Sequence, residues 1–172
     1  DKVRVDSLRR EMGLEDKRVI GISWKSSGSS NSKSKSMILK DFGAMFEGMD
    51  IVLLNLQYGD VQEEIDEFTQ TTGIEVLQCK SVDNREDLDG LAALIEICDL
   101  VVSTRNVTIH LAGALGKETW VLMNYVTSFY WLLDRTDSIW YPTLRLYRQK
   151  TLDDWGGVLS IIHQDLQKKI GE

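Results

Sequence analysis

No apolar run in this sequence approaches the roughly 18 residues of a membrane-spanning helix, and no charged, apolar, small-residue leader precedes the first predicted element. Excess basic charge is missing too. Against 27 Asp and Glu there are 20 Lys and Arg, a formal net charge of -7, which argues against nucleic acid as partner because phosphate-backbone binding depends on clustered cations. Only two cysteines are present. Cys79 closes a predicted strand and Cys98 lies on the apolar face of a predicted helix, so both read as buried hydrophobes in a reducing compartment, and a cytoplasmic location is expected. Two histidines, His110 and His163, make no metal-ligand cluster; no metal or other cofactor is expected, and His163 is placed on the solvent side of the last helix. Glycine motifs are absent where they would count. GSSNSK, after the first predicted strand, lacks the second and third glycines of a dinucleotide fingerprint, and no Gly-Lys-Ser/Thr opens a helix. The first absence argues against an NAD enzyme and the second excludes a P-loop.

What is present is a core and a pattern. At 172 residues with 42% hydrophobic content, the chain suits one domain. It opens on Asp1 rather than Met, which reads as an excised piece of something longer. Residues 1–16 are expected to be a lead-in helix or linker from a preceding domain, and 17–172 an α/β domain.

The chain is organised around Asp99 to Asn124, DLVVSTRNVTIHLAGALGKETWVLMN. Leu100 to Ser103 is a continuous apolar run ending in small polar residues, the pattern of a parallel strand covered on both faces. Asn106 is an N-cap candidate, and Val107, Leu111, Ala114 and Leu115 form one helical face. Ala112, Gly113 and Ala114 allow close approach to a sheet, Gly116 stops the helix, and Trp120 to Met123 resumes as a strand. In such a βαβ unit the helix N-terminus presents unpaired N–H groups at the strand's carboxyl end, where an anion is favoured. Ser103, Thr104, Asn106 and Thr108 offer hydroxyl and amide groups there, Arg105 a fixed cation, and His110 lies one turn on.

Around this unit the pattern alternates. Val3 to Met12 predicts a short helix closed by Gly13, and Arg18 to Trp24 a strand. That strand runs into a Ser-, Gly- and Lys-rich loop in which Lys25, Lys33, Lys35 and Lys40 fall within sixteen positions, so a small anionic ligand is expected despite the acidic balance. Leu39 to Met49 predicts a helix, Ile51 to Leu56 a strand, and Val61, Ile65 and Phe68 the buried stripe of a helix whose Glu63, Glu64, Asp66 and Glu67 make a solvated face. Ile74 to Leu77 is a short strand. Leu88, Leu91, Leu94, Ile95 and Cys98 form the inward side of the next helix, capped by Asp87 or Asp89. After the central unit, Phe129, Tyr130, Trp131, Trp140 and Tyr141 pack an aromatic segment on the domain or a neighbour. Arg145 to Gln149 is a sixth strand, and Trp155, Val158, Leu159, Ile162, Leu166 and Ile170 line a final helix long enough to dock on a partner domain. Six strands alternating with helices predict a Rossmann-like, doubly wound parallel α/β sheet with helices on both faces.

The chain resembles the C-terminal, nucleotide-sugar-binding half of a two-domain (GT-B) glycosyltransferase, most of all the heptosyltransferase-like domain that follows tetratricopeptide repeats, and distantly the O-linked N-acetylglucosamine transferases. The matching pieces are GISWKSS at 21–27, LLNLQYGD at 53–60, DLDGLAALIEICDLVVST at 87–104, NVTIHLAGALGKETWVLM at 106–123 and SIWYPTLRLYRQ at 138–149, with HLAGALGK the most specific. The resemblance implies that the donor diphosphate is held by Ser26, Ser27 and one of Lys25, Lys33 or Lys35, together with Thr104, Arg105, Asn106, Thr108 and His110. It implies that Gln57 and Tyr58 border the nucleotide and that the loop from Lys80 to Asp89 lies near the base or ribose. It also implies transfer of a sugar from a nucleotide diphosphate to an acceptor hydroxyl without a metal, with acceptor site and general base in a missing N-terminal half, so that this domain alone is inactive. One departure stands out: members carry Asp-Thr where this chain has Arg105-Asn106, and an arginine favours phosphate over sugar hydroxyls. The other readings are a degenerate, non-catalytic binding or scaffold module attached to helical repeats, and a GT-B-like sugar-nucleotide epimerase.

Overall fold

A computed structural model describes residues 1–26 and 36–171. The order of elements is α1 (Lys2–Glu11), β1 (Val19–Ser23), α2 (Leu39–Gly43), β2 (Val52–Asn55), α3 (Gln62–Thr72), β3 (Val76–Leu77), α4 (Leu88–Ile97), β4 (Leu100–Thr104), α5 (Val107–Ala114), β5 (Thr119–Met123), β6 (Leu144–Arg148) and α6 (Trp155–Ile170). The strands form one six-stranded sheet in the order β3-β2-β1-β4-β5-β6, and every pairing is parallel. This is the Rossmann-like α/β architecture that the alternating pattern predicts. The chain winds from β1 outward to β3, then crosses back to place β4 on the other side of β1. The β1–β4 boundary is therefore the topological switch point, the place where an open α/β sheet holds its ligands.

Alternation along the strands divides the core between the two faces. Ile20, Ile22 and Trp24 face a cluster with Phe42, Phe46, Phe68 and Ile162. Val19, Leu54, Leu56 and Val101 face Leu8 of α1 and Leu91, Leu94 and Ile95 of α4. Helix α1 is thus packed into the domain. Leu8 is buried, Arg4 pairs with Asp87, and Arg9 donates to the carbonyls of Leu14 and Ile97 at 3.1 and 3.3 Å. The stripe of α6 is likewise covered by its own chain, with Val158, Ile162 and Leu166 buried in the first cluster.

Several local expectations are corrected. The helix predicted from Leu39 to Met49 stops at Gly43 and tightens into a 3₁₀ turn at Ala44–Phe46; the ring of Phe68 occupies the space that a Cβ on residue 43 would need. Helix α5 buries Thr108, Ile109, Ala112 and Gly113, while Val107, Ala114 and Leu115 are exposed. The small-residue side is the covered one: Ala112 and Ile109 enter the core, and Tyr141 packs where a Cβ on Gly113 would sit. Leu88, at the first turn of α4, is 58% exposed. His163 is half-buried, its Nδ1 2.9 Å from the Met45 carbonyl. Cys98 is enclosed between sheet and helix, and burial pushes its thiol up to about 12, as for an inert hydrophobe. Among the described residues no helix is long and apolar enough to cross a membrane.

Candidate functional site

At the carboxyl ends of β1, β2 and β4 a hydrogen-bonded network fixes the start of the β1 loop. Gln57, just beyond β2, is buried, and its Oε1 accepts from Ser23 Oγ, the Trp24 N–H and the Lys25 N–H at 2.9, 3.0 and 2.8 Å. Asn55 Oδ1 accepts from the Gln57 N–H at 2.8 Å, and Asn84 Nδ2 donates to the carbonyls of Asn55 and Gln57. Asn106 closes the network from the other side of the switch point. Its Oδ1 caps α5 by accepting from the Thr108 N–H at 2.9 Å, while its Nδ2 donates to Ser23 Oγ at 2.6 Å and to the Lys25 carbonyl at 3.0 Å. Asn106 and Gln57 therefore spend their side-chain groups on geometry, and what the N-cap leaves for a ligand is the backbone N–H groups of the first turn.

Polar groups without partners surround that turn. Thr104 and Thr108 are fully buried, yet neither Oγ1 has a hydrogen-bond partner among the described residues. Arg105, between them, is 8% exposed with its Nε unpartnered. Burial holds its guanidinium below the ordinary value, and the charge of Arg148 pushes it the same way. Native proteins rarely leave buried polar atoms unpaired, and here three such residues, Thr104, Arg105 and Thr108, gather at the first turn of α5.

Arg148, the last residue of β6, is the residue that the sequence reading missed; its only signal was a basic residue at the carboxyl end of a predicted strand. Its Nη1 donates to Thr127 Oγ1 at 3.0 Å, and its Nη2 to the carbonyls of Trp131 and Leu132 at 3.4 and 2.8 Å, while Nε is buried and unpartnered. Leu132 reaches it at φ 52, ψ 168, a backbone region that costs a non-glycine residue about 1–3 kcal/mol.

His110 sits beside Trp131 and Tyr141, with ring centroids 5.7 and 5.8 Å away and Nδ1 3.4 Å from Tyr141 Oη. Burial pushes its imidazole below the ordinary value. The unfolded chain then takes up a proton first as pH falls below about 6.5, so this contribution to stability is present above that pH and is lost as pH falls through the lower folded-state value. His110→Phe is expected to flatten the acid side of a melting-temperature profile between about pH 5 and 7.5; an unchanged profile would show that His110 does not set it.

On the other side of the switch point Lys25 pairs with Glu64. Glu64 Oε1 also accepts from Trp24 Nε1 at 3.0 Å and from the Leu39 N–H at 2.8 Å, so Glu64 joins β1 to the start of α2. This corrects the solvated-face reading of Glu64, whose side chain is only 18% exposed. The Ser26 N–H donates to Ser36 Oγ at 3.0 Å. Ser27, Lys33 and Lys35 lie outside the described residues. Beyond β2 and β3 a cavity of about 420 Å³ is lined by Asn55, Gln57, Gln78, Lys80, Asp83, Asn84 and Arg85; Tyr58, half-buried next to Gln57, is not among the lining residues. Thr104, Arg105, Asn106 and Thr108 thus gather at the start of α5, with His110 a turn further along it, and the backbone of Lys25 is tied to them by the bond from Asn106 Nδ2 to its carbonyl.

No protein-family model matches the chain. It is 37% identical over 105 residues to Protein FlbA of Caulobacter vibrioides, an alignment covering 61% of this chain and 17% of FlbA. Among solved structures it is similar to ADP-heptose lps heptosyltransferase II of E. coli (TM-score 0.62, 13% identity, 97% of this chain and 53% of that one). It is equally similar to a glycosyl transferase family 9 protein of Veillonella parvula (0.62, 14%, 98% and 50%). E. coli heptosyltransferase WaaC, solved with ADP-2-deoxy-2-fluoro heptose, is a third (0.62, 12%, 96% and 47%). The chain spans about half the length of these solved chains. At such identities the likeness is one of fold: the chain has the Rossmann-like α/β fold of a GT-B glycosyltransferase domain.

Proposed function

We propose that this chain binds a nucleoside-diphosphate sugar as the donor half of a glycosyltransferase. The observation that carries the reading is the group of buried, unpartnered Thr104, Arg105 and Thr108 atoms around the start of α5. The diphosphate lies against the first-turn N–H groups of α5 and these side chains, with Lys25 reaching it from β1. The nucleoside occupies the cavity beyond β2 and β3. During transfer, negative charge builds on the leaving diphosphate, and fixed N–H groups and a buried cation stabilise it without having to reorganise. All of this charge is met by groups of the chain itself. Acceptor and general base belong to a second half, so the domain alone binds donor without turning it over. A cytoplasmic setting beside helical repeats completes the proposal.

Titration calorimetry with pyrophosphate, then with ADP, UDP, GDP and CDP, tests it. Saturable binding is expected, with one base preferred. Thr108→Val should weaken pyrophosphate binding about tenfold, the value of a hydrogen bond to a charged group. Glu64→Gln, which releases Lys25 yet keeps an acceptor oxygen for Trp24 and Leu39, should strengthen it. Absence of binding to all of these ligands, or indifference to Thr108→Val, overturns the reading.

A further inference from the structure

The loop 81–87, between β3 and α4, is held from several sides. Helix α1 takes both of its ends. Ser81 Oγ donates to Glu11 Oε1 at 3.2 Å, and Arg4 pairs with Asp87, Nη1 donating to Oδ1 at 3.2 Å and Nη2 to Oδ2. Asp87 in turn caps α4 by accepting from the Gly90 N–H at 2.8 Å. Between these ends Val82 is buried with Leu8 and Leu91. Asn84 reaches the end of β2, where its Nδ2 donates to the carbonyls of Asn55 and Gln57 at 3.1 and 3.2 Å.

Two acceptor oxygens on this rigid loop are left open. With Nδ2 committed to two carbonyls the Asn84 amide cannot turn over, and its Oδ1 is buried without a hydrogen-bond partner among the described residues. Asp83 Oδ1 accepts from the N–H groups of Arg85 and Glu86 at 2.8 and 3.1 Å, which holds the carboxyl below its usual range. Among the described residues nothing donates to its Oδ2, and an ionised carboxylate only accepts. Asp83 and Asn84 both line the cavity of about 420 Å³. The carboxylates of Asp60, Asp83 and Glu86 there outnumber the cations of Lys80 and Arg85, so the cavity suits an uncharged part of a ligand better than a phosphate.

We propose that Asp83 and Asn84 accept from the two hydroxyls of a ribose, so that the donor is a ribonucleoside diphosphate sugar and a 2′-deoxyribonucleoside donor is refused. The inference rests on the reading of the switch point as a diphosphate site and names the class of nucleotide held there. Strands lie about 4.8 Å apart. A ligand with its diphosphate at the β1–β4 centre therefore meets the end of β2, where Asn84 is anchored, with the ribose attached to that diphosphate, and β3 with its base. Hydroxyls are the donors that both oxygens lack, and adjacent residues suit an adjacent pair of them. The acceptors are in place before the ligand arrives, so little ordering opposes binding. A site built to bond a hydroxyl discriminates against an analogue without it, because its own buried group is then left unpaired.

Paired nucleotides test this without knowledge of the base. The whole chain is titrated with ADP, CDP, GDP and UDP, each against its 2′-deoxy counterpart, and with pyrophosphate as reference. For every base that binds, the ribose form is expected to bind at least about tenfold more tightly, as one hydrogen bond to a charged group provides. Asp83→Asn keeps an acceptor for the Arg85 and Glu86 N–H groups, so the turn stays, and replaces the open oxygen with a donor. Asn84→Ala removes the second acceptor. Each should lower the ribose preference and leave pyrophosphate affinity unchanged. Equal affinity for ribose and deoxyribose forms, or a preference that both variants leave intact, overturns the inference, as does pyrophosphate binding with no nucleoside diphosphate bound; in each case pyrophosphate binding leaves the diphosphate site standing. Absence of binding to pyrophosphate and to every nucleotide removes both.

Discussion

Arg105→Met is expected to raise the melting temperature of the ligand-free protein by about 3–10 °C and to weaken pyrophosphate binding at least tenfold. The two effects have one cause. Arg105 is a buried cation with no carboxylate in ion-pair contact among the described residues, and Arg148 adds repulsion. Taking an ion out of water is repaid only by close opposite charge and full hydrogen bonding, and replacing buried ions by apolar residues of similar volume often stabilises by about 1–4 kcal/mol. In a domain of this size each kcal/mol moves the midpoint by about 2–4 °C. Methionine keeps the length and flexibility of the arginine stem, so it fills the same space without the charge. A ligand that supplies the missing anion should reverse the order, stabilising the parent protein by mass action and the variant little. Thermal melts with and without pyrophosphate check both halves. A lower midpoint for the ligand-free variant would mean that Arg105 stabilises the fold, and the charge-imbalance argument would fail.

The fold was legible because its signals are local and redundant. Continuous apolar runs at β1, β2 and β4, the cap at Asn106 and the stop at Gly116 agree with one another, and agreement across levels is what makes a sequence specify a sheet. Less visible were features decided by a partner distant in sequence. Nothing near Gly43 says that Phe68 will fill its Cβ space, and although the small residues of α5 announce a close approach, nothing near Gly113 names Tyr141 as the side chain that fills its Cβ space. Leu88 keeps the helical spacing of its neighbours but sits in the first turn of α4, ahead of the point where that helix meets the sheet.

The candidate site divides in the same way. Thr104, Arg105, Asn106 and Thr108 could be grouped from sequence because a strand end and the helix after it place them within a few residues of each other, and Lys25, at the end of another strand, joined them through the family resemblance. Arg148 and Glu64 could not, since their roles depend on which strands are neighbours and on a contact from α3 back to the β1 loop. Asn106 and Gln57 were picked out by position, and the structure gives each a geometric task that position alone does not reveal.

That task makes Gln57 the position of the second large effect. Its Oε1 is the common acceptor for Ser23 Oγ and the N–H groups of Trp24 and Lys25, in a place where water cannot substitute. Gln57→Leu removes the acceptor and leaves two backbone donors and a hydroxyl without it. Each buried donor left unpaired costs about 1–3 kcal/mol, so urea unfolding should show a loss of ~3 kcal/mol or more. Gln57→Glu retains two acceptor oxygens of nearly the same shape. It forfeits only the donation from Nε2 to the Tyr58 carbonyl and adds a negative charge beside the proposed diphosphate position. The expected result is a stability loss no more than half that of the leucine variant, with pyrophosphate affinity lowered all the same. The pair separates shape from charge. If both variants lose equal stability, Gln57 matters as packing rather than as acceptor. If the glutamate variant binds pyrophosphate as tightly as the parent, the anion lies away from the β1 loop and Lys25 takes no part in holding it.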